Sequence, residues 1–106
     1  MKESDIQSSI CEYLELRRHC FWRVNNIPAF TKNSNGSITM RRLPKFTPRG
    51  LPDIIVVRKG KFIGLEVKKP KTYQSKEQKE FEQRLKDAGA EYYVVRSIED
   101  AQKIGL

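Results

Sequence analysis

Cysteine, histidine and long apolar runs are all scarce in this sequence of 106 residues, and each scarcity closes off a class of function. Cys11 and Cys20 are the only cysteines, and they form neither a C-x-x-C pair nor a disulfide framework. A reducing, intracellular setting is the expectation. His19 is the only histidine, and Ser75 has no histidine near it in sequence, so no covalent nucleophile arrives with its base. No apolar stretch approaches the roughly 18 residues that span a bilayer. The opening Met1-Lys2-Glu3-Ser4-Asp5 lacks an apolar signal core. A soluble, cytoplasmic protein that is not secreted is expected, and the chain holds no internal repeat or low-complexity tract.

What the sequence has is positive charge. Lys and Arg number 21 against 13 Asp and Glu, a net charge of +8. Charge of one sign repels itself in a folded chain, so a polyanionic partner is the economical explanation, nucleic acid ahead of a membrane surface or an acidic protein. At this length the chain is one domain, residues 1–106, with a modest two-layer core. Residues 27–50 contain no acid, but they carry Lys32, Arg41, Arg42, Lys45 and Arg49 among Pro28, Gly36, Pro44, Pro48 and Gly50. A loop that long inside a small domain is functional or disordered. A short strand within Ser37 to Leu43 would make it a basic hairpin.

Periodicity supplies the rest. Ile6, Ile10, Tyr13 and Leu14 recur at helical spacing, predicting an amphipathic helix from about Glu3 to His19, with Glu3 and Gln7 on one face of its first turn. Phe21 to Val24 reads as a short strand, with Trp22 in the core. Asp53 to Arg58 and Lys61 to Lys68 read as strands about a Lys59-Gly60 turn. Ser75 opens a second helix with Gln78, Phe81, Leu85 and Ala88 on one face, closed by Gly89. Glu91 to Arg96 is a further strand, parallel to the one before it if the crossover is right-handed. Ser97-Ile98-Glu99-Asp100 starts a short last helix. The order is α-β-(loop)-β-β-α-β-α, a mixed α/β layer structure.

The hairpin carries the chemistry. With Lys59 and Gly60 as a two-residue loop, Arg58 lies opposite Lys61, Ile55 opposite Gly64, and Asp53 opposite Glu66. Directly opposed carboxylates, roughly 5 Å apart at Cβ, repel each other. A divalent cation between them reverses the sign. Alternation puts Lys68 on the same face as Glu66, while Ile54, Val56, Ile63, Leu65 and Val67 point to the other face to fill a core. Oxygen ligands without Cys or His indicate Mg²⁺ or Mn²⁺ rather than zinc.

Pro52-Asp53 followed by Glu66-Val67-Lys68 resembles the PD-(D/E)XK nuclease motif, and the element order resembles that superfamily's αβββαβ core. The whole chain is similar to the virus-type replication-repair nuclease (VRR-NUC) domain in its stand-alone phage and bacterial form. The likeness extends over Glu3 and Gln7, Trp22-Arg23-Val24-Asn25, Gly50-Leu51-Pro52-Asp53 and Ser75-Lys76-Glu77-Gln78. By that resemblance, Asp53, Glu66 and the Val67 carbonyl ligate Mg²⁺ or Mn²⁺ and Lys68 is the catalytic lysine. Glu3 supports the metal or its water shell, and Gln78 helps arrange the site. It also implies a homodimeric endonuclease acting on DNA, often branched, in a bacterial cell or a phage-infected host.

Each assignment has a plainer alternative. Asp53 caps the start of a strand, Glu66 pairs with Lys68 or Lys69, and Lys68 belongs to a solvated basic run with Lys69 and Lys71. Gln78 is half of a capping box with Ser75, and Glu3 is a first-turn acid favoured by the helix dipole. For the loop, Arg41, Arg42, Lys45 and Arg49, with Lys69 and Lys71 beyond the strand, suit phosphate contacts that give affinity without reading sequence. The function expected is DNA endonuclease. A catalytically silent nucleic-acid-binding module is the alternative, and a basic protein-interaction subunit a third.

Overall fold

The computed structural model describes residues 1–24, 30–40 and 45–106. In chain order the elements are α1 (Glu3–Leu16), β1 (Cys20–Arg23), β2 (Phe30–Lys32), β3 (Ile38–Met40), β4 (Ile54–Arg58), β5 (Lys61–Val67), α2 (Lys76–Asp87), β6 (Glu91–Val95) and α3 (Ile98–Lys103). Lys59 and Gly60 both take positive φ, 52° and 77°. That is the requirement of a two-residue turn matched to strand twist, and it pairs Arg58 with Lys61, Ile55 with Gly64 and Ile54 with Leu65. β1 adds antiparallel to β4, with Trp22 opposite Ile55, and β6 adds parallel to β5 after the α2 crossover. The sheet order is β1-β4-β5-β6, with β2 and β3 a separate two-stranded hairpin.

One face of the sheet is dry. Ile54, Val56, Ile63, Leu65, Val67 and Val95 pack with Ile6, Ile10 and Leu14 of α1 and with Ala101 and Leu106 from the C-terminal end. α2 lies across the other face, where an added Cβ on Gly64 would meet Leu85 and, at 2.9 Å, the Pro52 ring. α1 stops at Leu16, short of the His19 expected from periodicity. Arg18 turns left-handed at φ 59° and the His19 amide closes back on the Leu14 carbonyl at 3.0 Å. The apolar spacing does not register such a turn.

Two further expectations meet different outcomes. Trp22 is 48% exposed and not a core residue. β1 is an edge strand, and α2 does not reach across to cover it. The basic segment does contain a hairpin, Phe30–Lys32 against Ile38–Met40, tied by Asn33 and Ser37. Arg41, Arg42 and Leu43 lie outside the described residues. No described helix is long and apolar enough to cross a membrane.

Candidate active site

The register that sets Ile54 against Leu65 brings Asp53 beside Glu66 at its next step. Asp53 sits just outside the strand, half-buried, and its Oδ2 accepts a 2.8 Å hydrogen bond from the Val67 amide. That bond fixes the carboxylate to the neighbouring strand, β5. Glu66 is 1% exposed, the sole charged side chain among the buried polar groups described. Its Oε1 is buried with no hydrogen-bond partner. A buried carboxylate oxygen left without a donor costs heavily unless something positive or protonated meets it.

The electrostatics follow from that placement. Burial pushes the Glu66 carboxyl from its ordinary 4.5 up to about 9, helped by hydrogen bonding to Asp53 and by its charge, and by the charge of Glu3, while Lys68 opposes the shift. Glu66 therefore holds a proton at neutral pH when only the protein surrounds it. The same effects show that Glu3, Asp53, Glu66 and Lys68 share one neighbourhood. The ion pairs among the described residues are Lys76–Glu80 and Lys86–Glu82. Glu66 thus forms none with Lys68 or Lys69, and the plainer reading of an ordinary structural ion pair does not hold.

Gln78 does act as a helix cap. Its Oε1 accepts the Ser75 amide at 2.8 Å, and the Ser75 hydroxyl accepts the Gln78 amide at 3.2 Å. Beside this cap, the Gly50 backbone is pressed against α2. An added Cβ there would fall 2.3 Å from the Glu77 carbonyl oxygen, so Gly50, at φ 78°, admits no side chain. That contact anchors the stretch leading to Asp53. Arg49 next to it is exposed, as are Lys45, Lys69 and Lys71, so described cations flank both ends of the carboxylate pair in sequence.

Sequence reasoning missed Tyr92. It is buried, sits opposite Gly64 on the site's side of the sheet, and its hydroxyl accepts from Gln74 Nε2 at 3.1 Å. Gln74 also donates to Glu82, which pairs with Lys86 at 2.7 Å. Burial, opposed by the Gln74 bond and reinforced by the charges of Glu66, Glu82 and Asp53, holds the phenol well above its ordinary range. Tyr92 stays protonated. Alternation in Glu91 to Val95 carries the signal of which side it faces, but not what waits there.

Among the described residues, no three His, Cys, Asp or Glu side chains gather closely enough to enclose a cation. What the geometry offers is two carboxylates, one with a free buried oxygen, next to the backbone of Val67. That number of protein donors suits a hard cation such as Mg²⁺, which keeps several waters and takes further oxygens from a phosphate. Neither a family model nor a curated protein matches the chain. Among solved structures it is similar to one described as a VRR_NUC domain, at 22% identity and a TM-score of 0.65, over 96% of this chain and 91% of that one. The fold is that of a VRR_NUC domain. Coverage of nearly both chains means that the helices, the mixed sheet and the hairpin junction carrying Asp53 and Glu66 all lie within the VRR_NUC fold.

Proposed function

We propose that this protein is a Mg²⁺- or Mn²⁺-dependent endodeoxyribonuclease that hydrolyses phosphodiester bonds in branched DNA. The observation that carries the reading is Glu66 Oε1, buried and without a partner beside Asp53. The likeness to a VRR_NUC domain supports a nuclease, and the +8 charge supports a nucleic-acid partner.

Asp53, Glu66 and the Val67 carbonyl are the residues that would hold the cation. When bound, a divalent cation polarises a phosphate oxygen and lowers the pKa of water. The Val67 amide holds Asp53 in place, so its carboxylate is oriented before substrate arrives. Glu66, which keeps its proton in the metal-free fold, would hold the cation as a carboxylate, with that proton released to solvent. Lys68, near enough to act on Glu66 through its charge, steadies the negative charge that builds on phosphorus or orients the attacking water. Glu3 adds negative charge from the start of α1. Gln78 caps the start of α2 beside the stretch that leads to Asp53. Arg41, Arg42, Lys45, Arg49, Lys69 and Lys71 take up phosphates on either side. A symmetric homodimer would present two such sites about a twofold axis, a geometry suited to paired incisions in a four-way junction.

The test is incubation with junction, flap, single-stranded and plain duplex DNA, with and without Mn²⁺, beside Lys68→Ala and Asp53→Asn. Metal-dependent cleavage lost in both variants supports the reading. Cleavage surviving in both would remove these residues from the chemistry. A silent binding module of the same fold is the second reading, favoured by the lack of a third close carboxylate among the described residues. It predicts binding without cleavage in any metal.

A further inference from the structure

The face of the sheet that carries Glu66 is only half covered. α2 shelters Gly64 and Tyr92 on the β5–β6 side. Elsewhere on the same face, Trp22 of the edge strand β1 is 48% exposed beside buried Ile55, and at the hairpin end half-buried Val57 lies between exposed Cys20 of β1 and Phe62 of β5, 36% exposed. Opposed residues of an antiparallel pair project to one side. Trp22 lies opposite Ile55, and Ile55 is two residues from Asp53, so the side chains of Trp22 and Asp53 leave the sheet on that side from positions about 7 Å apart along the strand and about 5 Å across it. The chain then runs from Trp22 straight into the acid-free basic segment and returns from it at Asp53. An exposed aromatic side chain that a basic segment follows in sequence, on the face that carries a pair of carboxylates, matches the chemistry of a base in a single strand, whose π-face stacks while its phosphates meet lysine and arginine.

We infer that Trp22 is a stacking platform for an unpaired base of the DNA strand entering the Asp53–Glu66 site. The inference rests on the nuclease reading for where the strand goes, and it adds what the site selects: DNA with a base free to leave its stack. A paired base offers no accessible face. A fully paired duplex meets the cations alone and lies across the indole without covering it.

Trp22 is the only tryptophan in the chain, so its fluorescence reports this contact directly. The protein is titrated in Ca²⁺, at one salt concentration, with a single-stranded oligonucleotide, a flap of the same sequence and the blunt duplex. Strong quenching by strand and flap, and little by duplex at equal occupancy, is expected. In parallel, Trp22→Ala should weaken flap binding about 5- to 100-fold and leave duplex binding within about twofold. Trp22→Phe should recover most of the loss. Asp53→Asn should abolish cleavage and keep the quenching, which separates the two readings. Quenching without cleavage in wild type overturns the nuclease and leaves the platform standing, whereas cleavage without selective quenching overturns the platform alone. Equal quenching by duplex and strand, equal loss of both by Trp22→Ala, or a Trp22→Ala protein that sediments at a different mass from wild type, marking a contact between copies, each overturn the inference.

Discussion

Leu65 and Glu66 are neighbours on one strand, equally buried at 0% and 1% exposure, yet they face opposite sides of the sheet and meet opposite environments. On Leu65's side, α1, α3 and the C-terminal Leu106 close a wholly apolar layer. On Glu66's side, α2 covers only part of the sheet, and a carboxylate oxygen is left buried without a partner. The first side follows the ordinary rule that core strands bury aliphatic side chains. The second violates it at one residue, which is the kind of local exception that the proposed metal-binding role accounts for. The difference separates what folds this chain from what the fold holds in place.

The sharpest way to break that comparison is to change each neighbour in turn. Glu66→Gln should cut metal-dependent cleavage by about 10³-fold, roughly 4 kcal/mol on the barrier. The same change should hold or raise the melting temperature of the metal-free protein at pH 8, because the amide donates to Asp53 and carries no charge into the interior. Melting in EDTA beside a cleavage assay in Mn²⁺ reads both. A large fall in the melting temperature would make Glu66 a structural residue. Leu65→Ala should do the reverse, destabilising by about 2–5 kcal/mol through lost contacts and a cavity, with the same loss in EDTA as in Mg²⁺. Denaturant unfolding measures it, and a loss rescued by metal would contradict the division between faces.

How much of this division was legible in the sequence depends on how local its causes are. Lys59-Gly60 between β-branched runs set the register that brings Asp53 to Glu66, because turn residues and alternation are both short-range. The Ser75 and Ser97 caps were legible for the same reason, each satisfying an amide three residues on. Trp22 was not. Whether an aromatic strand residue is buried depends on which edge its strand occupies and how far a helix distant in sequence reaches over it. The Gln74–Tyr92 bond joins residues 18 apart and leaves no pattern along the chain. The basic segment showed its charge and its hairpin, but Arg41 and Arg42 fall outside the described residues, so their assignment to DNA is a proposal resting on composition.

A smaller effect separates the two faces by pH. In the unfolded chain the Glu66 carboxyl titrates near 4.5, and in the fold near 9. Between those values the folded protein keeps a proton that the unfolded chain has released, so this contribution is whole below pH 4.5 and is lost as the pH climbs to 9. The metal-free protein should therefore melt lower at pH 9 than at pH 5.5, on the order of 10 °C. Glu66→Gln should flatten the dependence, and millimolar Mg²⁺ should raise the alkaline end most. The charges that face Glu66 are those of Asp53, Lys68 and Glu3. A slope unchanged by Glu66→Gln would assign the titration to another group.

The least change is expected at Gln78, where cap and site compete for one side chain. Its Oε1 is already engaged by the Ser75 amide, and Ser75 returns the bond through its hydroxyl. Ser75→Ala and Gln78→Ala each remove one half of the same box, and each should cost about 1 kcal/mol. The pair of variants isolates any second role, because a purely capping Gln78 loses no more cleavage activity than Ser75→Ala does at matched stability. A tenfold excess loss in Gln78→Ala, with Gln78→Glu restoring stability but not rate, would place its amide nitrogen on the substrate. Equal rates would leave Gln78 as the residue that fixes the start of α2, beside the Gly50 contact that holds the approach to Asp53 in position.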